Sequence, residues 1–205
     1  MYYKLNLYLS ILYFVTTICS AQQKEYDAVK AVIDKIETPF FLVKKDTIEL
    51  VDYSFKINEV LLKGYLRQKE IKLNQKVKPS SNFFEWVDKK YAWILTDSDI
   101  NYMIKSLRKQ KKIFWNKKKL MNSKKYIQIV DYPIFSDNII EDLERQKRIK
   151  SEKFIYFFSK PIFNQKKDIF IIQYDILLLP YSKMTLIYKK ENGVWIQIAS
   201  LSQNW

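Results

Sequence analysis

Asn192-Gly193 stands between two runs rich in β-branched and aromatic residues, 183–190 and 194–205. A tight hairpin turn needs positive φ at both central positions, and Asn-Gly meets that need at least cost. The dipeptide therefore fixes a β-hairpin near the carboxyl end. Leu186 and Tyr188, then Trp195, Gln197 and Ala199, alternate around it as the two faces of a sheet require. Two earlier runs, EKFIYFFSK (152–160) and KDIFIIQYDILLL (167–179), have the same strand composition. The last third of the chain thus predicts an antiparallel meander.

Helical signals precede it. In KEYDAVKAVIDKIE (24–37), Tyr26, Val29, Val32 or Ile33, and Ile36 recur at helical spacing, and Pro39 ends the segment. FFLVKKDTIELVDYSF (40–55) predicts one or two strands, residues 56–71 a helix, and KVKPSSN (76–82) a loop. In residues 96–110 Thr96 caps a helix, with Asp97 and Asp99 at its positive end and Ile100, Met103, Ile104 and Leu107 as the inward stripe. A strand follows over 125–133, then a helix over 136–150. No internal repeat, low-complexity tract or linker divides the chain. The expectation is one α+β domain, residues 22–205, with the carboxyl-terminal meander packed by two to four helices.

Residues 1–21 predict a secretory signal peptide. Lys4 supplies the early positive charge, Leu5 to Ile18 is largely apolar, and Cys19-Ser20-Ala21 provides small residues before a cut between Ala21 and Gln22. The apolar run is shorter than the roughly 20 residues a membrane-spanning helix needs. A lipoprotein reading of Cys19 asks for a Leu-like residue three positions earlier and a small residue directly before it. Thr16 and Ile18 occupy those places. Export to the periplasm or beyond is the expected destination, with no transmembrane helix in the trimmed chain.

Trimming 21 of 205 residues leaves 184, with no cysteine and no histidine. No disulfide then holds the fold, and a chain of this size buries roughly 70% of its unfolded surface unaided. The missing residue types exclude a Ser-His-Asp triad, a cysteine nucleophile and the usual zinc site. Carboxylate, lysine, serine and tyrosine chemistry remain. Glu85 with Asp88 beside Trp86, or Glu141 with Glu144, could form the carboxylate pair of a glycosidase. At i, i+3 on an amphipathic helix, the second pair reads as a solvated face. Asp97-Ser98-Asp99 opens like a calcium loop, but Tyr102 stands where that loop needs glycine, so a helix cap is the better reading. Ser159-Lys160 are strand neighbours that face opposite ways. Ser106 and Lys109 give a Ser-x-x-Lys without its companion Lys-Thr-Gly motif.

The formal charge is +14, or +13 once Lys4 is removed with the leader. Only Arg67, Arg108, Arg145 and Arg148 among the 36 basic residues are arginine. Arginine is the residue suited to bidentate phosphate recognition, so its scarcity argues against a dedicated nucleic-acid binder. From Ile100 to Val130 the chain holds no acid. That stretch carries Lys105, Arg108, Lys109, Lys111, Lys112, Lys117, Lys118 and Lys119 around Phe114 and Trp115. Cations interleaved with aromatics form the candidate patch for an anionic glycan or lipid surface. The competing reading is a lysine-rich surface around one buried aromatic pair. The remaining aromatics, among them Trp86, Trp93, Phe154, Tyr156, Phe158, Phe163, Phe170, Trp195 and Trp205, fall at strand spacing and are expected in the core.

Ser159, Lys160, Phe163 and Asn164, followed by Asn192, Gly193, Trp195 and Trp205, form a pattern over about the last 55 residues. It resembles the end of a group of small exported Bacteroidota proteins of uncharacterised function. Thr96 and Trp115 extend the likeness. Where many of that group carry a Gly-rich segment, this chain has DILLLPYSK. The meander is also similar in layout to NTF2-like cones. Neither resemblance supplies an activity. The expectation is a non-enzymatic binding or structural module of the cell envelope, with no cofactor, partnered by an envelope protein or an anionic surface. The alternative is a carboxylate-dependent hydrolase acting on glycan.

Overall fold

A computed structural model describes residues 23–36, 47–51, 54–74, 84–91, 93–120, 126–130, 155–177 and 183–201. The expected leader, the loop at 76–82 and the helix at 136–150 lie outside these residues. The described helices are α1 over 23–33, α2 (Glu59–Asn74), α3 (Asp97–Lys109) and the short α4 (Lys117–Leu120). The strands are β1 (Thr47–Val51), β2 (Phe84–Val87), β3 (Tyr126–Val130), β4 (Ile155–Phe158), β5 (Ile162–Phe163), β6 (Ile169–Leu177), β7 (Met184–Glu191) and β8 (Val194–Leu201).

All eight strands join one sheet in the order β2-β8-β7-β6-β4-β1-β3, with β5 also pairing β6. The β6–β7–β8 meander is antiparallel, as the sequence requires. Asn192 and Gly193 both take positive φ, 48° and 83°, at its hairpin turn. The far end differs in kind. There β1 runs parallel to both β3 and β4, which makes the sheet mixed. Parallel neighbours need long crossovers, and no local turn signal encodes them.

Alternation in the central strand builds two cores. Ile169 and Ile171 of β6 face one side, with α2 and α3; Phe170 and Ile172 face the other, with α1 and Trp115. On that second side Phe170 stacks on its cross-strand partner Tyr188 with ring centroids 5.0 Å apart, and Trp195 meets Phe170 edge-on at 4.8 Å. Such contacts add about 1 kcal/mol each beyond area burial.

A register shift between Ile187 and Tyr188 marks a bulge in the β7–β8 ladder. It alters the expected faces. Trp195 lies on the α1 side with Tyr188, whereas Ala199 pairs with Ile187 and joins the α2–α3 core. An extra residue on one strand reverses which side its successors face.

The helices form for the reasons read in the sequence. Thr96 and Asp99 make a reciprocal capping box at the start of α3, and Ile100, Met103, Ile104 and Leu107 are buried. Tyr26, Val29, Val32, Ile33 and Ile36 are buried along α1 and just beyond it. Among the described residues no helix is long and apolar enough to cross a membrane.

Candidate functional site

Burying the α3 stripe turns Tyr102, Ser106 and Lys109 to a neighbouring face, since residues three and four apart share one side of a helix. These three line a groove of about 490 Å³ where α3 ends against α1 and β5. Gln110 closes that end. Its backbone N–H donates to the Leu107 carbonyl, and its Nε2 donates to the Lys160 and Pro161 carbonyls at 3.3 Å each. Pro161 has no N–H, and the β6 edge changes partner from β4 to β5 around it.

The opposite wall comes from the same bend. Lys160 Nζ lies 2.8 Å from a Glu25 carboxylate oxygen, both side chains largely buried, and so ties β5 to α1. The turn from β5 to β6 is shaped by buried Asn164. Its Oδ1 accepts the Asp168 and Ile169 N–H groups at 3.1 Å, and its Nδ2 donates to Asp168 at 2.8 Å. This holds Lys167, at φ 59°, over the groove.

Five lysines therefore meet there, Lys24, Lys109, Lys111, Lys160 and Lys167, with one carboxylate, Glu25, already engaged by Lys160. Among the described residues Lys24, Lys109, Lys111 and Lys167 have no acidic partner. Pro161, Ile162 and Phe163 supply apolar lining, and Tyr102 is partly exposed beside them. A concave surface of one charge sign concentrates counter-ions. Lysine heads are mobile point charges, so the groove selects charge density over a fixed planar shape.

The patch read from the sequence is divided. Lys109 and Lys111 reach the groove, while Lys105 is exposed on α3 outside its lining. Arg108 turns away to Glu59, donating from Nε and Nη2 at 3.0 and 2.8 Å. That guanidinium, with Lys63 second, lowers the Glu59 carboxyl to about 2, and Glu59 in turn raises Arg108. Lys112 lies over the Phe114 ring and Lys119 over the Tyr26 ring. Lys117 and Lys118 are exposed on α4. Trp115 is only 5% exposed and meets Tyr26 edge-on at 5.6 Å, so it belongs to the core, while Phe114 is 66% exposed. The expected aromatic pair is split, one ring in and one out. Lys24 and Lys167 escape a reading by local runs because the fold collects them from distant segments.

The other candidates resolve into structure. Ser159 is buried, and its Oγ accepts the Gln173 N–H at 2.8 Å. Asp88 accepts the Lys90 N–H in a local turn, and Asp97 and Asp99 serve the α3 start. Among the described residues no cluster of three metal-ligating side chains occurs. Tyr156, Phe158 and Phe170 lie in the core, with Trp93, Phe163 and Trp195 packed partly buried against it. Glu141, Glu144, Phe154, Trp205 and the side chains of Glu85 and Trp86 lie outside the described residues. No protein-family model, curated protein or solved structure matches the chain.

Proposed function

We propose that the chain is an exported, non-enzymatic binding module of the cell envelope whose groove holds an acidic glycan. The carrying observation is the gathering of Lys24, Lys109, Lys111, Lys160 and Lys167 around one neutralised carboxylate. The apolar lining and Tyr102 suit the faces of sugar rings, and the lysines suit carboxylate or sulfate groups. The leader-like amino terminus supports export to the periplasm or beyond, and the likeness to small exported Bacteroidota proteins points the same way. An NTF2-like layout belongs to the same proposal. Register shifts between Phe84 and Trp86 and at Ile187/Tyr188 support it, since a bulge bends its strand. A glycan hydrolase would need two carboxylates roughly 5 to 10 Å apart, and among the described residues the groove is lined by one, Glu25.

Retention of the 22–205 chain on a sulfated-polysaccharide resin tests this reading. Binding should weaken steeply with salt. Replacing Lys109, Lys111 and Lys167 together with glutamine should lower affinity about tenfold to thirtyfold, at up to about 1 kcal/mol for each exposed contact. Unchanged retention by a folded triple variant would sink the proposal.

A further inference from the structure

The segment after the groove has a separate geometry. Ser54 and Ile113 pin its start, the Ser54 N–H donating to the Ile113 carbonyl at 2.9 Å and the Ile113 N–H to Ser54 Oγ at 3.1 Å. Tyr26 pins its middle, accepting the Asn116 N–H at 3.0 Å and donating to the Phe114 carbonyl at 3.3 Å. Trp115 anchors it in the core. Asn116 Oδ1 accepts the Lys118 N–H at 2.9 Å and starts α4. A backbone held at so many points presents Phe114 as a fixed projection, 66% exposed.

Lys112 lies over the Phe114 ring, and further lysines follow along the segment. Lys112, Lys117 and Lys118 are exposed, Lys119 is half-buried, and the segment contains no acid. Between Phe114 and α1 lies a recess of about 380 Å³, lined by Lys112, Asn116 and Lys119 and by Glu25, whose carboxylate is engaged by Lys160 at 2.8 Å. A single exposed phenylalanine is ordinary on a protein surface. One fixed among lysines and beside a cationic recess has the composition of a membrane-interface contact, where an aromatic enters the headgroup boundary and lysines meet anionic lipid.

We infer that residues 112–119 dock the protein on an anionic lipid bilayer, with the Phe114 ring inserted and a phosphate headgroup in the recess beside Lys112 and Lys119. The occupant is a lipid surface because the ring projects outward, 66% exposed, beside lysines, an apolar tip that a bilayer buries whole while its anionic headgroups meet the cations. Glu25 lines both the groove and the recess, but the inference does not depend on the groove, whose lysines, Lys24, Lys109, Lys111, Lys160 and Lys167, are other residues.

Vesicle sedimentation of the 22–205 chain tests it, with phosphatidylcholine alone against an equimolar mixture with phosphatidylglycerol. The chain should pellet with the mixed vesicles, remain in solution with the neutral ones, and be released by salt. Phe114→Ala should reduce the partition coefficient about tenfold. Phe114→Trp should restore binding, with a blue shift of the new indole on adding vesicles. Glutamine at Lys112, Lys117 and Lys118 together should reduce it about a hundredfold. The Lys109, Lys111, Lys167 variant should bind vesicles within about twofold of the parent, which separates this inference from the groove. Equal pelleting with neutral vesicles, unchanged partition of Phe114→Ala, or full displacement by soluble glycerol phosphate would overturn it.

Discussion

Asn164 concentrates more polar contacts than any neighbour in the β5–β6 turn, and its replacement gives the most direct test of how the groove wall is held. Its carboxamide oxygen accepts two backbone N–H groups and its nitrogen reaches the Asp168 carboxylate, while the residue is 2% exposed. Asn164→Ala removes the acceptor for both N–H groups. The Ile169 N–H is buried and has nowhere else to turn, at a cost of about 2 kcal/mol, whereas the partly exposed Asp168 N–H finds water and loses about 1 kcal/mol. The expected loss is about 3 kcal/mol, or roughly 6 to 12 °C in melting temperature for a chain of this size. Asn164→Asp keeps the acceptor but sets two carboxylates where an amide met one. It should therefore be destabilised at neutral pH and recover as acid protonates one of the pair. Urea denaturation at neutral pH and near pH 4.5 measures both. A loss below about 0.5 kcal/mol for Asn164→Ala, or no acid recovery for Asn164→Asp, would refute the account.

The Glu59–Arg108 contact makes a signed pH prediction. The Glu59 carboxyl is held at about 2 against an ordinary 4.5, so its stabilisation is complete above 4.5 and is lost as pH falls towards 2. Thermal melts should show a small, salt-sensitive gap between the parent and Glu59→Gln at neutral pH, closing in that acid window. Gly193 has φ +83° and nothing within 4 Å of an added Cβ. Gly193→Ala should cost about 1 kcal/mol from backbone strain alone, read as a lower urea midpoint with unchanged slope.

Local signals carried much of the architecture. The Asn192-Gly193 turn, the Thr96–Asp99 cap and the α1 and α3 stripes each depend on residues within a few positions of one another, and each folds as read. The parallel pairing of β1 with β3 and β4 is long-range and left no such mark. The β7–β8 bulge was invisible because a period-two pattern contains no sign of one inserted residue, and Ala199 changed sides as a result. The site followed the same division. Lys109 and Lys111 belong to a visible run, but Lys24 and Lys167 join them only through tertiary contacts at Gln110, Lys160 and Asn164. Arg108 was misleading because composition counts a cation without showing that Glu59 holds it.

Strand β6 serves as the shared wall of both cores, with successive side chains assigned to opposite ones. A change at Phe170 is answered by Tyr188 and Trp195, and a change at Ile171 by residues of α2 and α3. Adjacent positions in this strand are thus free to drift independently, while positions two apart must change in concert. Divergent copies of this chain would record the partition as covariation that skips every second residue.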